Sequence, residues 1–375
     1  MLINRIYFLV FLLYFFAPIA YIPIIAMFLL VFSIFTTNKV EFLQRNLALS
    51  SLLFVFVSFV MIIINFQTGK EIVELYKWSI VTLLVLFFQK ERAETFILAF
   101  QLFSILSFVM LIIQQFFPES QIIVKVSSFY ASSELIEENF VEGYVRSTGF
   151  NEGPGHVGVL ISFNLLIVYL KFKWGIISRF NRYASIPFSL VSIVITAAKG
   201  ALPIFLLLNK KISLLLFGII SIIFFSIFSL EEIFYLERLT NSASGEARFD
   251  IWSSLINKSF SDPLTFLFGN ARVDEIATIT IFDSDWIYIF FTKGIFGVFL
   301  LLIILLQLSL CLQWSKKSTI FILILLILIG FANPAFTDIK FGIIYFYLLI
   351  SLGYIRKNKI NLNNNLIKKT YQLNN

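Results

Sequence analysis

Cysteine and histidine each occur once in 375 residues, as Cys311 and His156. A single cysteine excludes an intramolecular disulfide framework, and one of each excludes a Cys- or His-cluster metal site. Charge is scarce too, at 14% of residues, and the chain has neither a phosphate-binding P-loop nor a dinucleotide glycine fingerprint. No Ser-His-Asp arrangement stands out. What the chain has in abundance is apolar sequence, with 59% hydrophobic residues and 47 phenylalanines, and a mean hydropathy of +0.91. Two soluble domains are thereby excluded, and a polytopic membrane protein is expected. The net charge of +7 does not signal nucleic acid, because the basic residues are spread over short connectors between apolar runs.

The apolar runs predict spans at about 6–20, 22–36, 46–65, 73–89, 95–117, 155–170, 184–198, 200–208, 212–229, 287–313, 319–332 and 341–355. Pro18 and Pro23 break the first pair, and 200–208 is short enough to be re-entrant. The N-terminus, with Arg5 followed by apolar residues from Ile6, resembles a signal peptide without a small-residue cleavage site, so it is read as a retained first helix. The expected fold is therefore an all-α integral membrane protein of about 12 transmembrane helices, with both termini on one side. Setting that side inside places 18 basic but three acidic residues there, and leaves 11 basic against 19 acidic in the rest of the chain. Under the positive-inside rule both termini are cytoplasmic and the long polar blocks are extracytoplasmic.

The resulting organisation is 1–117 N-terminal helices, 118–154 first outer loop, 155–229 central helices, 230–286 second outer loop, 287–355 C-terminal helices and 356–375 a solvated, Asn- and Lys-rich cytoplasmic tail. Each outer loop is expected to carry a short interfacial helix. In the first, Phe129, Ile136 and Phe140 have near-helical spacing. In the second, a helix starting near Ser244 puts Phe249, Trp252, Ile256 and Phe260 on one face with Arg248 at its edge, and Asp262-Pro263 stops it.

The chemistry concentrates in the same two blocks. Arg146 to His156, Arg-Ser-Thr-Gly-Phe-Asn-Glu-Gly-Pro-Gly-His, joins an arginine, a glutamate and the histidine with three glycines that permit tight backbone. The second block returns to the membrane through Asp283-Ser-Asp-Trp and then Gly294-Ile-Phe-Gly297, while Lys199-Gly200 sits between two apolar spans. Plain structural readings stand beside these. Arg248 and Lys199 can snorkel, Asp283 can cap a helix, Glu152 can be solvated, and His156 can have no task. Tyr144, Trp252 and Trp286 suit an interfacial belt as well as a sugar platform.

The span ladder, the outer Arg-x-x-Gly-x-x-Glu-x-Pro run, the Arg248-Phe-x-x-Trp252 segment and Asp283-Ser-x9-Gly-x-x-Gly resemble the O-antigen and capsule repeat-unit polymerases of the Wzy type, a family related to the O-antigen ligases. Asp283 stands where the ligase form has histidine, and Lys199-Gly where the family commonly has Arg-Gly. The resemblance implies a membrane glycosyltransferase that joins polyprenyl-diphosphate-linked oligosaccharides, as donor and acceptor, on the outer face of a bacterial plasma (inner) membrane. Arg146, Arg248 and Lys199 would hold the diphosphate, and Glu152, Asp283 or His156 would serve as catalytic base. Its partners would be the bilayer, a chain-length regulator and a flippase, with no nucleic acid, cofactor or metal. Asp283-Ser-Asp285 also spells an Asp-x-Asp metal pattern, but nucleotide sugars are cytosolic and this site is expected outside. The alternatives are an O-antigen ligase and a flippase or transporter of lipid-linked sugars. A transporter would carry ionisable residues inside its spans.

Overall fold

A computed structural model of the chain describes residues 2–18, 21–36, 42–65, 70–88, 92–131, 136, 147–151, 153–196, 198, 200–209, 243–260, 262–269, 284–315, 317–332, 335–336 and 339–373. Among these residues every regular element is helical, as the apolar composition demands of a chain that must satisfy its backbone within lipid. The N-terminal helices are α1 (Leu2–Phe16), α2 (Ile22–Thr36), α3 (Phe42–Asn65), α4 (Lys70–Leu86) and α5 (Ala93–Phe116), followed by the short α6 (Gln121–Ser127). The central ones are α7 (Pro154–Lys173), α8 (Arg179–Thr196) and α9 (Ala201–Leu208). After these come α10 (Ala243–Phe260), α11 (Pro263–Phe268), α12 (Asp285–Leu312), α13 (Ser318–Ala332) and α14 (Ile339–Leu373). α5, α12 and residues Gly155–Lys173 of α7 are long and apolar enough to cross a membrane by length and composition. The protein is thus a helical membrane protein.

Local chemistry explains several boundaries. α1 stops at Phe16, short of the expected residue 20, because the residue before Pro18 is pushed out of the helical region. Pro23 lies in the first turn of α2 and Pro154 opens α7, where a missing N–H costs nothing. The expected span at 212–229 lies outside the described residues. In the first loop the described helix is α6, earlier than the Phe129 to Phe140 pattern suggested, much of which lies outside the described residues. The tail expected to be solvated is helical: α14 runs 35 residues, through to Leu373.

α14 is the hub. It is buried on every side from Gly342 to Tyr354, and it packs on α4, α5, α7 and α12. Because a helix apolar all round has no wet face, this stretch can only be a central one. Flat aromatic stacking fixes its neighbours: Tyr345 on Phe163 of α7 at 3.9 Å and 6°, and Tyr354 on Phe88 just after α4 at 5.4 Å and 7°. Trp78 of α4 stacks on Phe54 of α3 at 4.2 Å and 8°. Lipid is as apolar as these rings, so tight van der Waals fit holds the helices together. Serines and threonines inside the bundle donate to carbonyls four residues back, as in Thr82 to Trp78, Ser162 to Gly158 and Ser309 to Leu305. That local bond removes the penalty of a bare hydroxyl in hydrocarbon.

Charge sorts the two ends of the bundle. At one end Arg356 donates to the Cys311 carbonyl at 2.8 Å, Arg182 donates to the Leu208 carbonyl at 3.1 Å, and Lys359 donates to the Gly175 carbonyl. These carbonyls belong to the ends of α12 and α9 and to the turn after α7, where cations meet unpaired acceptors and the negative pole of the helix dipole. Arg92 lies over the Tyr7 ring at the same end, and Lys173 over Tyr169 and Trp314. The other end holds Gln114, the start of α7 and the start of α12.

α12 is not one rod. It is two helical pieces that meet at Gly294, whose φ of 63° and ψ of −166° belong to a region open almost only to glycine. A Cβ on Gly294 would strike the Leu267 carbonyl and the Phe268 nitrogen, and a Cβ on Gly269 (φ 82°) would strike Thr292 and Lys293 backbone. The two glycines therefore let the end of α11 touch the break in α12, backbone to backbone. The sequence motif Gly294-x-x-Gly297 thus marks a fracture inside the expected span. Gly294→Ala should cost about 1–3 kcal/mol from conformation alone, plus the clash, and lower the thermal unfolding midpoint in detergent. Gly153→Ala is the contrast. Gly153 is extended at φ −154° with nothing near its missing Cβ, so its midpoint should stay at the wild-type value.

Candidate active site

The end of the bundle opposite the cations is built around a buried amide. Gln114, in the last turn of α5, is fully buried. Its Oε1 accepts from the Thr148 N–H at 2.9 Å and the Gly149 N–H at 2.8 Å. Its Nε2 donates to the Gly149 carbonyl and to the Ser127 hydroxyl, each at 3.2 Å. One side chain thereby fixes both directions of a turn and ties it to α6. Gly149 has φ 61°, and the Ser107 carbonyl lies 3.4 Å from where a Cβ would sit. Ser147, Thr148 and Asn151 are buried, and Phe150 packs edge-on against Phe16 at 5.0 Å and near Tyr130 at 5.9 Å. The Tyr130 hydroxyl donates to the Phe16 carbonyl at 2.9 Å. Residues 147–151 are therefore held as a shelf on the ends of α5 and α6, and Gly153 and Pro154 open α7.

α12 supplies the second part. Ser284 occupies the N-cap position with extended backbone, and Asp285 opens the helix fully buried. The Asp285 carboxylate accepts from the Ala335 N–H at 2.9 Å and from the Phe336 N–H at 2.9 and 3.1 Å. This carboxylate clamps the connection between α13 and α14. Trp286 Nε1 donates to the Ile327 carbonyl at 3.0 Å, closing the same joint. The Phe336 ring meets Phe163 at 6.2 Å, which joins the clamp to α7 below His156.

Buried cations complete this region. Lys77 of α4 is 2% exposed, with its Nζ 5.4 Å from the Tyr288 ring centroid and 5.7 Å from that of Trp78. Lys293, directly before the break, is 3% exposed. The inward face of the first half of α12 thus carries Asp285, Tyr288 and Thr292, with Lys293 beside it.

Of the expected site residues, His156 is described in full: it is half-buried in the first turn of α7. Arg248 lies on α10, and its side chain is not described. Arg146, Glu152, Lys199 and Asp283 lie outside the described residues. The sequence reading did not single out Gln114, Lys77 or Lys293, and it weighed Asp285 only as half of a metal pattern. Lys77 and Lys293 carried a usable signal, since an ionisable residue within an apolar run is a functional candidate by default. Among the described residues no group of three His, Cys, Asp or Glu could hold a metal ion. Asp285 is committed to backbone N–H groups.

α10 forms where its start signal predicts, but it turns a different face inward. Leu255 packs on Phe291, with Ile251, Ile287 and Tyr288 around them. Ser259 is buried, and Trp252 meets Phe331 edge-on at 5.8 Å. At 100° per residue this face lies about a quarter turn from the Phe249, Trp252, Ile256 and Phe260 stripe. Packing on α12 uses the neighbouring face and leaves Phe260 of the stripe 61% exposed. Asp262 caps α11; the Thr265 N–H at 2.9 Å and hydroxyl at 3.0 Å hold its carboxyl below the usual carboxylate range.

No family model matches the chain, and comparison with curated proteins and with solved structures found no significant match.

Gln114→Leu would leave the Thr148 and Gly149 N–H groups buried without acceptors, at a cost of about 1–3 kcal/mol each. Amide hydrogen exchange should accelerate at Thr148 and Gly149 while the middle of α5 stays protected. Unchanged protection at the two amides would show that the turn is held by something else.

Proposed function

We propose that this protein polymerises polyprenyl-diphosphate-linked oligosaccharide repeats, with the Arg146 to His156 stretch as the centre of its site. The observation that carries this reading is the shelf: a loop dense in chemistry, whose backbone is pinned by buried Gln114 at the end of a membrane bundle. A diphosphate leaving group gains charge as it departs, and catalysis by charge stabilisation needs donors that do not reorganise. Rigid backbone beside Arg146 provides that. Arg248 from α10 and Lys199 would complete the diphosphate site, and Glu152, Asp283 or His156 would take the acceptor hydroxyl proton. The product can be O-antigen, capsule or exopolysaccharide.

In this reading the chain has about 12 spans, both termini are cytoplasmic in the inner membrane, and the shelf faces outward. The collection of cations at the opposite end of the bundle supports that orientation. The ligase alternative shares the same donor chemistry and differs in acceptor.

A second reading, transport of the lipid-linked sugar, is favoured by Lys77, Asp285 and Lys293, which are ionisable groups buried in helices. Against it, two of them lie in the piece of α12 before the break. The piece after the break, residues 295–312, already rises about 27 Å at 1.5 Å per residue, close to the full hydrocarbon thickness of about 30 Å. The charges therefore cluster at one end rather than along a central path.

Purified protein in liposomes supplied with lipid-linked repeats separates the readings. Lengthened lipid-linked sugar is expected. Movement across the bilayer without lengthening would establish the transporter instead. Arg146→Ala and Arg248→Ala should each reduce lengthening by about 10²–10³-fold, the loss typical of removing one charge-stabilising donor, while membrane retention is unchanged. For orientation, Ser254→Cys in a Cys311→Ser background places a thiol on the exposed face of α10. A membrane-impermeant maleimide should label it from the outside of intact cells; labelling only after permeabilisation would invert the topology.

A further inference from the structure

Beyond its break, α12 shows a continuous apolar stripe to its surroundings, with Phe296 50%, Phe299 59% and Ile303 45% exposed. On a helix of membrane-crossing length and hydropathy, such a stripe faces acyl chains. The stripe does not end where the membrane piece ends. Phe268 of α11 stacks on Phe296 with centroids 5.6 Å apart and rings 17° from parallel. From there the apolar surface continues over α11, with Leu267 38% and Leu264 67% exposed, to Phe260 at the end of α10, 61% exposed. Phe260 stacks on Phe266 at 4.9 Å, and both rings meet Phe290 of α12.

Depth follows from helix length and from the glycine contact. Residues 295–312 rise about 27 Å, so Gly294 lies near the edge of a hydrocarbon layer about 30 Å thick. Gly269 seats against the Thr292 and Lys293 backbone and Gly294 against that of Leu267 and Phe268, which places the end of α11 at that same height. α11, Pro-Leu-Thr-Phe-Leu-Phe, has no charged side chain. The charged and polar positions Asp250, Asn257 and Lys258 are exposed on α10, and the cap Asp262 is exposed at the start of α11.

We propose that α11, with Phe260, Leu264 and Leu267 at its surface, sits in the acyl-chain boundary of the leaflet nearest the α12 break, as a shallow anchor that sets the height of α10. The occupant of this surface is lipid. The patch is an unbroken extension of a membrane-facing stripe and lies level with the bilayer edge, whereas a docking protein would require a boundary between lipid contact and protein contact that the stripe does not show. Shallow apolar insertion of this kind is how interfacial helices hold to membranes. The inference is independent of the reaction proposed above. It extends the interfacial surface expected of the α10 stripe onto α11, which meets that stripe at Phe260.

Site-directed spin labelling tests it on the full-length protein in liposomes. Nitroxides are attached at Leu264→Cys, at Leu267→Cys, at Asn257→Cys as the aqueous reference and at Ile303→Cys as the bilayer reference, each in the Cys311→Ser background. Collision rates are then compared for oxygen, which partitions into lipid, and for a neutral nickel chelate, which remains in water. Leu264 is expected to share the sign of the depth parameter with Ile303 and to be opposite to Asn257, with a shallower value than Ile303. Leu267→Cys provides the same readout if one label perturbs packing. A Leu264 and Leu267 response matching Asn257 would overturn the proposal, as would protection from both reagents, the outcome if a second copy or another protein covered the patch.

Discussion

The seating of Gly269 against the Thr292 and Lys293 backbone, and of Gly294 against that of Leu267 and Phe268, is the constraint on which this end of the molecule depends. Two backbones can approach that closely only if neither residue carries a Cβ, and Gly294 must also hold a dihedral pair reserved for glycine. The break divides α12 into a short piece, 285–293, and a piece, 295–312, that is by itself nearly long enough to cross hydrocarbon. The short piece is then free to turn Asp285, Tyr288 and Lys293 inward and to receive α10 along Phe291. A straight α12 would carry those groups on along the membrane axis, away from the connection that Asp285 clamps. The fracture thus converts one long apolar helix into a membrane post and a scaffold for polar chemistry.

The remainder of the polar end is assembled in the same economical way, by side chains that bind backbone instead of each other. Gln114 bonds a turn about 35 residues away in sequence, and Asp285 bonds a connection about 50 away. Backbone partners tolerate changes of side chain, so the surrounding loops can vary while the frame stays fixed. At the basic end the logic is mirrored: there side-chain cations bind backbone carbonyls.

Much of the fold was legible in the sequence because long apolar runs leave few alternatives to a helix. The expected 22–36, 200–208 and 319–332 coincide with α2, α9 and α13 to within a residue. The break in α12 was visible only as a glycine pair, since composition does not report a dihedral angle. The start of α10 was readable from Ser244-Gly-Glu, but its inward face was not, because the choice between Leu255 and Ile256 is made by Phe291, a residue from another helix. For the site, the Arg146 to His156 stretch announced itself by its glycines and its charges. Gln114 gave no such signal: a glutamine near the end of an apolar helix looks like any polar boundary residue until the loop that it holds is in place. Lys77 did give a signal, as a single charge in a run otherwise apolar enough to read as an ordinary span.

α14 carries a mechanical consequence. Its 35 residues amount to about 50 Å of continuous helix, while the hydrocarbon layer takes up about 30 Å. A helix of that length exceeds such a layer by roughly 20 Å, and the bond from Lys359 to the Gly175 carbonyl ties it to the turn after α7. The helical backbone carries the heading of the buried stretch on to Leu373, which a flexible tether would not do.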